Sequence, residues 1–111
     1  MNADPMETEG AAQTLCDAIT ARRVVAMTYA GRPVRMAPHA VFRSSGGQLL
    51  VTGTDFPPSS GAPARPGFRS YDLRNIQTVQ ATGEGFDVDA GFDPGAHRFR
   101  FGVVCSVADA R

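Results

Sequence analysis

The spacing of apolar residues near the start of the chain predicts a helix. Four apolar positions recur at i, i+3, i+4 and i+7, which places them on one face of an amphipathic helix. They are Ala12, Leu15, Cys16 and Ile19. Thr8 stands between two glutamates and is suited to begin the helix, because a hydroxyl cap and negative charge both stabilise the amide groups of a first turn. We therefore expect a frayed end before Thr8 and a helix that ends near Arg22 or Arg23 and lies across a sheet.

Beyond this helix the pattern changes to short alternating segments, which predict strands. Clusters of Gly, Pro, Ser and Asn separate them as turns. The expected strands are Val24–Ala30, Val34–Arg43, Gln48–Phe56, Phe68–Leu73, Ile76–Thr82 and, appended at the end, His97–Val104. Residues 57–67 include four prolines and predict a long exposed loop of the functional or mobile kind.

This order of elements predicts a mainly β protein with one N-terminal helix. Short strands joined by hairpin turns favour a small five-stranded antiparallel barrel of the SH3-like or Sm-like kind, with an extra C-terminal strand. The competing OB-fold usually has its helix between the third and fourth strands, where this chain has the proline-rich loop. The expected organisation is a flexible N-terminus at 1–10, a helix and barrel at 11–86, and a C-terminal loop and strand at 87–111 that packs on or extends the barrel.

The second predicted strand carries basic residues at alternating positions. Arg35, His39 and Arg43 share one parity, so in a regular strand they would line the same side of the sheet. Pro38 cannot donate a backbone hydrogen bond and implies an edge strand or a bulge. A bulge would shift the parity by one and move Arg35 away from the other two.

Charge is distributed unevenly along a chain whose formal net charge is zero. Residues 21–74 contain eight arginines and two acidic residues, whereas residues 1–20 contain four acidic residues and no basic one. A region of one sign attracts phosphate or carboxylate ligands whatever the average charge. The exclusive use of arginine fits phosphate recognition, and the codon bias of a GC-rich genome explains it equally well. The absence of lysine excludes Schiff-base chemistry and the Walker phosphate loop.

Catalytic and metal chemistry have no positive support in the sequence. The motif Asp87-x-Asp89-x-x-x-Asp93 lacks the central glycine and closing glutamate of a calcium loop, so it reads as solvated. His39 and His97 have no Cys or His nearby in the sequence and do not indicate a zinc site. We expect no catalytic residue, no metal and no cofactor.

The remaining composition suggests a cytoplasmic protein. Cys16 and Cys105 lack C-x-x-C spacing and are predicted to be two small buried apolar residues. No apolar run has the length of a membrane span, and the N-terminus is acidic where a signal peptide would be basic and then apolar. We therefore expect no membrane partner.

Short motifs in a particular order connect the chain to a known family. They are Ala18-Ile19 followed by Val24–Tyr29, Arg35 with Pro38, Gln48-Leu49-Leu50, and Arg69-x-Tyr71-x-Leu73-x-x-Ile76. With these motifs, the stretch from Leu15 to Phe86 resembles the WYL domain family, bacterial ligand-sensing modules usually attached to a DNA-binding helix-turn-helix. Two of the motifs depart from the family pattern. Only Leu50 remains of the naming Trp-Tyr-Leu triplet, and Asn75 replaces the second arginine of the last motif.

The resemblance implies a non-catalytic Sm-like barrel that regulates transcription, commonly as a homodimer. Its basic face would bind an anionic ligand, a nucleotide or single-stranded nucleic acid. The chain has no room for a helix-turn-helix before residue 11, so it would be a stand-alone module. Arg35 and Arg69 are the first candidates for the ligand site, since the charge pattern and the resemblance both indicate them. The alternative is a surface position or an ion pair with Asp55 or Asp72.

Four further residues complete the predicted site. Tyr29 is a candidate for stacking on a base and, alternatively, a residue at the core edge. His39 would donate to an anion or lie solvated on its strand. Arg43 and Arg74 would extend the basic patch. A different function, protein interaction or oligomerisation through edge strands, needs no small ligand and would use Arg98–Val104. A small enzyme ranks third.

Overall fold

The computed structural model describes residues 7–56 and 67–108. One helix, α1 (Thr8–Ala21), precedes the strands. These are β1 (Arg23–Tyr29), β2 (Arg32–Arg43), β3 (Leu49–Asp55), β4 (Phe68–Asp72), β5 (Ile76–Gly85) and β6 (Val103–Ser106). Single turns of 3₁₀ helix form at Leu73–Asn75 and His97–Phe99. The predicted loop at 57–67 lies outside the described residues except for Gly67.

Helix α1 forms where the apolar spacing predicts it and buries that stripe against the sheet. Leu15 and Ile19 have no exposed surface. The helix begins at Thr8, but Glu7 is the N-cap and no side chain caps the first turn, so the predicted hydroxyl cap is wrong. Residues 8–10, assigned above to a flexible N-terminus, are helical.

The six described strands form one antiparallel sheet that is not closed. The strand order is β4-β3-β2-β1-β5, and β6 pairs with the second half of β2. A two-residue turn joins β1 to β2. Its residues, Ala30 and Gly31, both have positive φ, 49° and 83°, as a type I′ hairpin turn requires. The prediction of a mainly β protein with one N-terminal helix is confirmed.

A bulge in β2 changes the side of the sheet to which this strand's residues point. The strand has one residue more than β3 between two neighbouring pairs, and the extra residue is His39. Before the bulge Met36 packs beneath α1, and after it Phe42 packs in a cluster on the opposite face. The bulge anticipated at Pro38 is therefore confirmed. The alternative of a regular strand with one basic face is wrong.

The second apolar cluster lies on the side of the sheet away from α1. Its buried members are Ala40, Phe42 and Phe99. The Phe99 ring meets the Phe42 ring edge-on, with centroids 5.0 Å apart. The predicted strand at His97–Val104 is wrong in its position, because the last described strand begins only at Val103. Phe99 instead lies in a 3₁₀ turn and packs over Phe42.

Cys16 of α1 and Cys105 of β6 form a disulfide, with their Cα atoms 5.9 Å apart. The prediction of two separate apolar cysteines is wrong, because the fold brings together residues 89 positions apart in sequence. A search for local spacing does not detect such a pair. The bond joins the first helix to the last strand.

Candidate functional site

Three of the six predicted site residues, Tyr29, Arg69 and Arg74, gather along β4 and the turn that follows it. Arg69 Nε donates to a carboxylate oxygen of Asp55 at 3.1 Å, and Arg74 Nη2 donates to Asp72 at 2.8 Å. Two guanidinium groups thus meet two carboxylates. The neighbourhood has basic residues but no excess of positive charge.

Tyr29 is held at the edge of the larger core. Its hydroxyl accepts the backbone N–H of Asp72 at 3.1 Å, and its ring meets Tyr71 edge-on, with centroids 4.9 Å apart. The Tyr71 hydroxyl in turn donates to Asp55 at 3.4 Å. Of the two interpretations of Tyr29, the structure shows the core-edge residue.

Arg74 is bound by the residue that caps its own turn. Asp72 accepts the Arg74 backbone N–H at 2.9 Å and also its guanidinium. The side-chain hydrogen bonds from Arg74 lower the pKa of Asp72 below its ordinary value. This pairing therefore stabilises the link between β4 and β5.

Arg35 lies on the other face of the sheet from Arg69. Met36 packs in the core beneath α1, so its neighbour Arg35 points to the opposite face. Arg69 points to the same face as Tyr71, two residues along β4, and Tyr71 packs against the core beneath α1. The Arg35 guanidinium forms an ion pair with Glu84 of β5. The two arginines therefore do not meet in the single ligand site on a basic face that the sequence predicts. Each arginine has its own carboxylate instead.

His39 is completely buried and has both ring nitrogens engaged. Nδ1 lies 2.8 Å from the Ala37 carbonyl and donates to it, while Nε2 accepts the Asp89 backbone N–H at 3.0 Å. Three aromatic rings surround it at centroid distances of 5.1 to 5.5 Å, those of Phe68, Phe86 and Phe92. The prediction that His39 is a solvated or anion-binding residue is wrong. It is a core histidine fixed as the neutral Nδ1–H tautomer.

Burial lowers the pKa of His39 below 6.5, against the opposing effects of the Ala37 carbonyl and the Asp89 carboxylate. Arg22 also lowers it. Below about pH 6.5 the unfolded chain gains a proton that the folded chain does not, so stability falls as the pH falls. We expect a loss of up to about 1.4 kcal/mol per pH unit in this window.

Urea unfolding of the wild type and a His39→Gln variant at a series of pH values checks this expectation. The substitution also changes the packing of the core, so the slope of stability against pH is the quantity compared. The wild-type slope below pH 6.5 is expected to exceed that of the variant. Equal slopes would contradict a buried neutral imidazole.

The last predicted site residue, Arg43, is exposed at the far end of β2. Its Nη1 lies 3.4 Å from the Gly47 carbonyl of the following turn. The predicted solvated loop is also seen, since Asp87, Asp89 and Asp93 are exposed. Asp89 and Asp93 each accept a backbone N–H two residues ahead. No group of three metal-ligating side chains occurs within residues 7–56 and 67–108.

The exposed part of β6 lies outside the predicted ligand site but within Arg98–Val104, the segment predicted for self-association. We call Val103 and Val104 the β6 strip. These valines are 41% and 47% exposed although they are adjacent on a strand. Val104 is the extra residue of a bulge opposite β2, which explains why neither side chain is covered. Among the described strands, β6 pairs only with β2.

Comparisons with known proteins add no identity to this geometry. No family model matches the chain. No curated protein matches it either. The WYL resemblance therefore stays a prediction. Within the part of the chain that the structure describes, no helix has both the length and the apolar character needed to cross a bilayer.

Proposed function

We propose that this chain is a non-catalytic interaction module that binds a second copy of itself through the β6 strip. The observation that carries the proposal is the pair of exposed valines, Val103 and Val104, on a strand that pairs only with β2 among the described strands. Edge strands offer unpaired backbone groups to another chain, and contiguous exposed apolar residues often belong to an interface.

A second copy suits this strip because of its lack of charge. In a two-fold antiparallel contact the residues near the axis approach their own copies, so a charged residue there would face its own sign. Residues 101–108 contain no charged side chain. The strip is smaller than a standard interface, which buries at least about 1,200 Å² in total. We therefore expect a weak dimer that forms at high concentration.

Sedimentation velocity over a wide range of protein concentration tests the proposal. The wild type is expected to show a dimer that grows with concentration. Val104→Lys places a charge in the strip and should raise the dimer dissociation constant at least about tenfold. The matched control is Val88→Lys, since Val88 is 38% exposed and lies outside the strip. A wild type that stays monomeric, or a Val104→Lys variant that dimerises normally, would overturn the proposal.

The state of the buried histidine supports a function without catalysis. A general acid or base must exchange a proton with its substrate. His39 uses both ring nitrogens in hydrogen bonds to the backbone and has no exposed surface. It acts in the proposal as a structural residue.

Anion binding is the second candidate function, with a nucleotide or single-stranded nucleic acid as ligand and regulation as its role. The excess of arginine in residues 21–74 favours it. The pairing of Arg35, Arg69 and Arg74 with carboxylates weakens their part in it, because an anion would compete with a partner already in place. An SH3-like or Sm-like barrel and membership of the WYL family are proposed together with this second function.

A further inference from the structure

A groove of about 460 Å³ lies beside the β6 strip, between the end of β2 and the segment that leads into β6. One wall consists of Arg98, Arg100 and Phe101, and the floor includes Phe42 and Leu50. We call it the arginine groove. Among the residues that the structure describes, its lining contains no acidic side chain. A site of this size is in the range that holds a small organic ligand.

The two arginines of the groove differ from Arg35, Arg69 and Arg74, which form ion pairs. Within residues 7–56 and 67–108, neither Arg98 nor Arg100 has a carboxylate partner. Arg100 is nevertheless oriented, because its Nη1 donates to the His97 carbonyl at 2.9 Å and its guanidinium lies over the Phe101 ring at 4.4 Å. One edge of the fork is fixed by these contacts, and its other N–H groups are available to a ligand.

The opposite rim supplies hydroxyl groups above an apolar floor. Ser44, Ser45 and Ser70 line it. The Ser44 hydroxyl oxygen accepts the Gln48 backbone N–H at 3.3 Å, which leaves its own proton for donation. Leu50 in the floor is half-buried and presents an apolar surface between the two rims.

We propose that the arginine groove binds a small phosphomonoester that carries a flat aromatic group, such as a nucleoside monophosphate. Two guanidinium forks with no carboxylate match a phosphate, and the serine hydroxyls supply further donors to it. Phe101 and the apolar floor offer an aromatic group a face on which to lie. This site goes beyond self-association and uses none of the six residues predicted from the sequence.

The test is a titration of ¹⁵N-labelled protein followed by amide chemical shifts, with adenosine monophosphate as the probe. Adenosine and inorganic phosphate are titrated separately, since each carries half of the proposed chemistry. Adenosine monophosphate should shift amides of the groove, at Arg98–Phe101, Ser44 and Ser70. It should bind at least about tenfold more tightly than either part alone.

Variants locate the site. Arg98→Gln with Arg100→Gln should weaken binding of adenosine monophosphate at least about tenfold. Arg32→Gln removes an exposed arginine at the start of β2 and should change the affinity less than about twofold. The amide spectrum of each variant shows whether it is folded.

Several results would overturn the assignment. These are no saturable shift in the groove, equal affinity for inorganic phosphate or adenosine alone, and an equal loss in Arg32→Gln. Shifts centred on Tyr29, Arg69 and Arg74 would move the ligand to the predicted site and reject the groove. The tests of ligand binding and of self-association are independent, because Val104→Lys should bind adenosine monophosphate as the wild type does.

Discussion

Reduction of the Cys16–Cys105 disulfide is expected to lower the free energy of unfolding by about 3 kcal/mol. The bond links residues 89 positions apart, so nearly the whole unfolded chain regains freedom when it opens. Urea unfolding followed by circular dichroism, with and without a reductant, measures the change.

The double variant Cys16→Ser/Cys105→Ser is the control for this experiment. It should match the reduced wild type in stability and should not respond to the reductant. A wild type that gives two titratable thiols after oxidation, and the same unfolding midpoint in both conditions, would contradict the disulfide.

The Gly53→Ala substitution is expected to destabilise the protein by about 3 kcal/mol. A Cβ atom at Gly53 would overlap the Ala37 carbonyl oxygen and would lie 2.9 Å from the Ala37 carbonyl carbon. These two atoms belong to the backbone of β2 next to its bulge, so no side-chain rotation moves them away. The Met36 Cε atom, 2.5 Å from the new Cβ, is a third obstacle. The paired strands must separate instead.

Gly83→Ala is the matched control, because a Cβ at Gly83 meets no atom within 4 Å. Gly83 also lies on a strand, β5, so its replacement should be neutral or slightly stabilising. Thermal and urea unfolding of the two variants measures the difference. Similar stabilities would show that the close approach at Gly53 does not constrain the sheet.

The elements that could be predicted from the sequence are those specified by neighbouring residues. The stripe of α1 and the alternation in β1 to β5 each record a local pattern of burial, and the structure places these elements within a few residues of the prediction. The bulge in β2 could also be predicted, because Pro38 has no amide proton to donate to a neighbouring strand.

The features that could not be predicted from the sequence depend on contacts between residues far apart along the chain. The ion pair of Arg35 with Glu84 spans 49 residues, and nothing in the local pattern around either residue selects the other. The packing of aromatic rings over the second apolar cluster also depends on distant residues. Phe92 stands in a segment rich in Gly, Asp and Pro, whose spacing indicates neither helix nor strand, and the alternation around Phe99 indicates a strand where the structure has a 3₁₀ turn. Isolated aromatic residues in such a segment were the available signal.

The disulfide also bears on the predicted location. Disulfides persist mainly in oxidising compartments and are uncommon in the cytosol of mesophiles. Cys16 and Cys105 are the only cysteines of the chain, and both are used. The cytoplasmic location stays a prediction, and trapping of free thiols in cells that express the protein would test it.

Because of its bulge, β2 contributes side chains to both apolar clusters of the protein, one on each face of the sheet. Met36 belongs to the interior beneath α1, and Phe42 belongs to the one closed by Phe99. Movement of this strand disturbs both at once, so the chain should melt as one cooperative unit. A fragment ending at residue 86 would lack Phe99 and leave Phe42 exposed to water. Shortened versions for expression should therefore retain the C-terminal segment.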